Sequence, residues 1–231
     1  GSDLNNASWR GRDIRDRPAP WKNHYSMKWI EQALCLDFYR SISPGKPFYD
    51  SEWHALDNDH KNLDLEPEYV RAAMWLATLH GCGILDTWVW GREDNGQFDA
   101  VNSEFITEVL TQPRVLDSYG RTLKELNAHA ASVLSLVPTN RQFFIYYTED
   151  SAIQDGEYMN DLAAVYESLK LLNLPVGFTT PSEIARLTTN HTVIVPRTPY
   201  ISDAGLSPLQ AFAGRVILVD PTNCFTRTEH G

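Results

Sequence analysis

One acid, Glu52, stands between a short apolar run and two ring side chains in Lys46-Pro47-Phe48-Tyr49-Asp50-Ser51-Glu52-Trp53-His54. A carboxylate delivered at the end of a strand, beside an aromatic surface, suits the cleavage of a glycosidic bond. That reaction passes through an oxocarbenium-like transition state, so one carboxylate must stabilise or attack the anomeric carbon while a second protonates the leaving oxygen. In this reading Glu52 is the lead carboxylate, Trp53 stacks on the apolar face of a sugar, and His54 or Asp50 holds a hydroxyl or tunes the acid. A solvated acid at a strand end would carry the same short pattern, which by itself is a hypothesis rather than a signature.

The flanking segments supply the means of positioning Glu52. A helix is expected over residues 27–40 and a strand over 46–52. After a polar loop, Glu66-Pro67 opens a second helix with proline in its first turn and acids near the positive end of the dipole. Over residues 68–80 that helix places Val70, Ala73, Met74 and Ala77 on one stripe, and Gly81-Cys82-Gly83 stops it. The run Ile84-Leu85-Asp86-Thr87-Trp88-Val89-Trp90 then reads as a buried strand ending in Gly91-Arg92-Glu93-Asp94. Strand, helix and strand at this spacing form a βαβ unit, parallel and right-handed. Both strands therefore end on one edge of the sheet, where loops converge in barrels and open sheets alike. Trp75 and Trp88 fit a core, whereas Trp90, last before a Gly-Arg turn, suits packing or a sugar platform equally.

The second half alternates in the same way. A long helical stretch over 100–136 precedes a strand at 142–147, a loop at 151–156 and a helix at 158–172 with Leu162, Val165, Tyr166 and Leu169 on one face. Strands at 175–178 and 192–196, a helix at 207–214 and a strand at 215–219 follow, the pattern of a doubly wound parallel sheet.

Residues 25–137 resemble the last part of the catalytic barrel of clan A glycoside hydrolases, nearest to the family 42 β-galactosidases. The resemblance implies a nucleophilic glutamate at the end of the seventh strand, matching Glu52, and a tryptophan closing the sugar site at the end of the eighth, matching Trp90. It also implies a flavodoxin-like or glutamine-amidotransferase-like domain after the barrel, used for trimer formation. Ile145-Tyr146-Tyr147-Thr148-Glu149-Asp150-Ser151 followed by a helix is similar to its opening. The expected fold is thus α/β: a C-terminal portion of a (β/α)8 barrel over 25–137, then a flavodoxin-like, doubly wound parallel-sheet domain over 138–231 that is read as incomplete at its C-terminal end. Residues 1–24 form a lead-in, with Gly1-Ser2 read as a cloning remnant. A full barrel takes about 250 residues, so strands one to six, and the family's Asn-Glu acid/base pair, have no counterpart. The chain is read as a piece of a longer hydrolase, inactive alone.

Other chemistries are poorly served. Cys224, in Pro221-Thr222-Asn223-Cys224-Phe225, lacks the elbow glycines of an amidotransferase nucleophile, and neither G-x-G-x-x-G nor G-x-x-x-x-G-K-[ST] occurs. No cofactor is expected. Cys35, Cys82 and Cys224 lack paired spacing, so neither a disulfide framework nor zinc is indicated. His54 and His60, with Asp57 and Asp59 between them, offer a loop metal site without a defined geometry, and no metal is assigned. The net charge of −10 argues against nucleic acid as a general partner, despite Arg10, Arg12, Arg15 and Arg17 in the lead-in. No run of about 18 apolar residues suggests a membrane span.

Two functional classes follow. In the first, a retaining β-galactosidase-like glycosidase, Glu52 attacks the anomeric carbon, Trp53 and Trp90 form the platform, and His54, Asp86 or Arg92 contact hydroxyls or orient Glu52. In the second, the chain is a catalytically silent assembly or carbohydrate-binding piece, forming a homo-oligomer, a trimer by resemblance.

Overall fold

The structure, a computed structural model, describes residues 3–5, 29–54, 67–88, 95 and 112–231. The chain divides into two compact units, one of Gly1–Leu36 with Pro47–Val137, the other of Asp37–Lys46 with Pro138–Gly231.

In the first unit three strands form one parallel sheet in chain order: β1 (Asp3–Asn5), β2 (Phe48–His54) and β3 (Cys82–Trp88). Its helices are the first part of α1 (Trp29–Ile42), then α2 (Pro67–Leu79), α3 (Pro113–Ala128) and α4 (Ala130–Leu136). The β2–α2–β3 passage is the parallel crossover expected from the strand, helix and strand spacing. β1 was not anticipated: a piece of the lead-in pairs with β2, Asp3 opposite Glu52 and Asn5 opposite His54. Proline at its first position starts α2, since the missing N–H would have no helical partner there. Gly81, at φ 94°, stops it in a left-handed conformation that costs glycine little. The buried face of α2 carries Tyr69, Val70, Ala73, Met74 and Ala77. Val70, Ala73 and Met74 pack with Trp53, Val115 and Leu126, while Ala77 packs with Leu36 and Cys82.

The second unit is a four-stranded, wholly parallel sheet in the order β5-β4-β6-β7, from β4 (Phe143–Tyr146), β5 (Val176–Thr179), β6 (Thr192–Val195) and β7 (Arg215–Leu218). Helices α5 (Glu149–Gln154), α6 (Tyr158–Leu171) and α7 (Asp203–Ala211) accompany it. Phe178, Tyr166 and Leu162 are fully buried, as are Tyr146, Val193 and Val195, which pack with Ile201 and Leu209. Asn173, at φ 56°, ends α6 as asparagine can.

The second part of α1 belongs to this unit, where a single break after residue 137 was expected. The reason is a buried charge cluster. Asp37 accepts hydrogen bonds from Arg141 Nη2 (3.0 Å), Tyr166 Oη (2.7 Å) and Lys170 Nζ (3.4 Å), and Ser41 Oγ accepts from Arg141 Nη1 and the Phe178 N–H. Two further expectations change. Residues 149–154 form α5 where a loop was expected over 151–156, and α7 begins at Asp203 instead of near residue 207. Ser202 caps α7 by accepting from the Gly205 N–H at 3.2 Å, and Pro208 lies inside the helix.

Candidate functional site

The sheet of the first unit has two unlike faces. Leu85, Phe48 and Trp53 pack into the apolar clusters formed with the helices, whereas Tyr49, Ile84 and Asp86 are exposed. This is the period-two alternation of a strand with one covered face. Tyr49 Oη donates to Asp86 Oδ2 at 2.8 Å across the two strands. That bond, more than any burial, raises the Tyr49 phenol above its ordinary pKa, because the negative carboxylate disfavours a second negative charge beside it.

The pairing of β2 with β3 is not regular. Asp50 lies opposite Leu85 and Trp53 opposite Thr87, so β2 takes three steps where β3 takes two. The surplus residue falls in the stretch Ser51–Glu52. Such bulges bend a strand and re-aim side chains, and they are over-represented beside active sites. Glu52 thus occupies an irregular point of β2, opposite Asp3 on one side. The strand places Glu52 and His54 by their backbones, His54 opposite Trp88 and Asn5. Their side chains lie outside the described residues, and so do Trp90, Arg92 and the His60 loop.

Trp53 corrects the expectation of a sugar platform. Its side chain is 1% exposed and stacks on Tyr119, centroids 5.9 Å apart and planes inclined by 28°. Past the bulge this indole lies on the helix-covered side, where a large aromatic gains most by leaving water. Trp75, expected in the core, packs against the same cluster. Tyr49 is the site residue that the sequence reading left unassigned. Only its position beside Phe48, one facing in and the next out, hinted at it.

Asp50 is buried in this sheet near Cys82. Burial pushes the Cys82 thiol up to about 11, and the neighbouring Asp50 carboxylate adds to the effect. Cys35, Cys82 and Cys224 form no disulfide. Cys224 is buried, its Sγ donating to the Pro196 carbonyl, and burial raises its pKa. Among the described residues no group of three His, Cys, Asp or Glu has the placement to hold a metal, and no helix is long and apolar enough to cross a membrane.

No family model and no curated protein matches the sequence. Solved structures do match. The apo exo-carrageenase of glycoside hydrolase family 42 from Bacteroides ovatus is 29% identical, with a TM-score of 0.78, over 93% of this chain and 30% of its own. The β-galactosidase of Bacillus circulans sp. alkalophilus is 16% identical, with a TM-score of 0.66, over 93% of this chain and 32% of its own. The polyextremophilic β-galactosidase of the Antarctic haloarchaeon Halorubrum lacusprofundi is 16% identical, with a TM-score of 0.61, over 94% and 33%. The chain therefore spans about a third of the length of these structures. Along nearly all of its own length it resembles the family 42 glycoside hydrolases.

Proposed function

We propose that this chain carries the nucleophile side of a retaining β-glycosidase site. The first unit is then the last part of a (β/α)8 barrel, and the second a flavodoxin-like parallel-sheet domain. The observation that carries the reading is the bulge at Ser51–Glu52, beside the exposed and hydrogen-bonded Tyr49–Asp86 pair. Glu52 attacks the anomeric carbon as the glycosidic C–O bond breaks, and the leaving oxygen takes a proton from a general acid. Water then attacks the glycosyl-enzyme, giving its proton back to that group and releasing the Glu52 carboxylate. In retaining enzymes the two carboxyl groups stand about 5 to 5.5 Å apart, and here the second is proposed to come from barrel residues outside these 231. Asp86, oriented by Tyr49, accepts hydrogen bonds from sugar hydroxyls. His54 and Arg92 are proposed to contact hydroxyls or orient Glu52, and Trp90 to supply the platform. Trp53 has no place in this site.

The substrate proposed is a β-galactoside, after the β-galactosidases matched by structure. Loss of the acid/base typically removes about 10² to 10⁴-fold of rate, so the isolated chain is expected to turn over no substrate. The test is Glu52→Gln in a protein that carries both carboxylates. Turnover should vanish with the thermal midpoint nearly unchanged, and full activity in that variant would remove the nucleophile from the scheme.

The other reading, a silent piece used for assembly, draws on β7. This edge strand exposes Val216 and Ile217, followed by exposed Val219, although parallel sheets are ordinarily covered on both faces. Sedimentation separates the two: a stable oligomer that never labels at Glu52, even with the second carboxylate supplied, would favour assembly alone.

A further inference from the structure

At the carboxyl ends of β4 and β5 the second unit surrounds a cavity of about 580 Å³, within the roughly 300–1,000 Å³ typical of small-molecule sites. In open parallel sheets ligands lie outside the strands' carboxyl ends, where the strand order reverses. Here β4 has β5 on one side and β6 on the other, so the reversal falls between β4 and β6, and the cavity is lined by Tyr147 and Thr148 after β4, Thr180 after β5 and Ser202 after β6.

The walls carry two chemistries. Phe38 and Tyr147 meet edge to face, with centroids 5.0 Å apart and planes at 70°, and present an apolar surface. Opposed to them in character are the hydroxyls of Thr180, Ser182 and Ser202 and the carboxylates of Glu149, Asp150 and Glu183, the last paired with Arg186. Asp150 is held in place, Oδ2 accepting from the Ser202 N–H at 2.7 Å and from Thr148 Oγ1 at 3.3 Å. Gly205 keeps the lining close-packed without filling it: a Cβ there would come within 2.9 Å of Ile201 Cγ1. Among the described residues no Lys, Arg or His lines the cavity.

We propose that this cavity binds an uncharged mono- or disaccharide. Serine and threonine hydroxyls both donate and accept, and a carboxylate accepts several hydrogen bonds, which matches a ring bearing hydroxyls on most carbons. The aromatic wall takes the C–H face of such a ring. A phosphate, sulfate or carboxylate on the ligand would meet carboxylates with no lining base to offset the repulsion. The choice of a saccharide rests on the glycosidase reading, whereas the cavity's place and chemistry do not depend on Glu52.

The test is an amide NMR titration of the full chain with lactose and, separately, with a galactose sulfate and spermidine. Lactose should give saturable shifts at Thr180, Ser182 and Gly205 that persist in Glu52→Gln. Ala204→Trp, which places an indole at an exposed lining position, should weaken them by at least about tenfold. The galactose sulfate should bind at least about tenfold more weakly than lactose, and Glu149→Arg, at an exposed position, should narrow that gap. The proposal is overturned if no saturable shift occurs in the second unit, if shifts are confined to β2 and β3, if the sulfated sugar binds as well as lactose, or if spermidine binds more tightly. Failure to label Glu52 in a protein that carries both carboxylates, with these shifts intact, sinks the glycosidase reading alone, and the reverse outcome sinks the cavity alone.

Discussion

Single residues already separate reactive from structural roles. Tyr49 and Asp86 lie on adjacent strands, and their bond holds the phenol neutral beyond its ordinary range. Replacing Asp86 by Asn removes the charge while keeping an acceptor, so Tyr49 should then titrate closer to pH 10, as a free tyrosine does. Selective labelling of tyrosine rings for NMR would follow this, and an unmoved Tyr49 would break the pairing argument. Because the folded-state pKa is raised, whatever the bond contributes is present below about pH 10 and lost as the pH climbs through the raised value. Trp53 belongs to the other class. Cutting Trp53 to Ala leaves a cavity under α2 and α3 and should cost about 3 to 5 kcal/mol in urea unfolding. Trp53→Phe, a milder loss, should leave labelling of Glu52 by a trapped sugar intact, since the indole is turned from the exposed face. The place of Glu52 at the end of an apolar run, two residues after Asp50, was legible in the sequence. The fate of Trp53 was not, because a bulge moves side chains between faces without any change of residue type.

Elements were readable where a period repeated long enough to outweigh local composition. The α2 stripe of Val70, Ala73, Met74 and Ala77 is buried as its spacing predicts. The same reading lost α5, a six-residue helix whose Ser151, Gln154 and the following Asp155-Gly156 have the composition of a loop. It also began α7 late, because Ser207-Pro208 imitates a cap followed by a first-turn proline, while the working cap is Ser202. The Asp37 cluster joins groups 104 to 133 residues apart, a distance at which no local pattern speaks. Its removal has a clear expectation at this scale. Asp37→Ala leaves Arg141, itself only 10% exposed, with a positive charge near Lys170 and without its carboxylate. Breaking a buried pair in this way typically costs about 3 to 5 kcal/mol. Urea unfolding followed by a probe in the second unit should register that loss, and a change below about 1 kcal/mol would mean that water reaches the pair and screens it.

At the scale of the whole molecule, the chain holds two parallel sheets, one in each unit, and resembles about a third of the family 42 structures it matches. Thiol chemistry offers a global check on the fold. Cys82 is buried with its thiol pushed up to about 11, and Cys224 is buried as well, while Cys35 is half-buried. A thiol reagent at neutral pH should therefore modify the native chain slowly, Cys35 first, and all three groups at once after unfolding. An unfolded thiol ionises near 8.5, so the Cys82 contribution to stability is complete below that pH and declines as the pH rises through about 11. The central claim concerns Glu52. It is tested most directly by treating the chain, joined to the remaining barrel strands that carry the general acid, with a fluorinated β-galactoside that accumulates a glycosyl-enzyme. Peptide mapping by mass spectrometry then locates the sugar. The account predicts a single adduct on Glu52, absent in Glu52→Gln. An adduct on another carboxylate such as Asp86, or none in a protein shown to be folded, would contradict it.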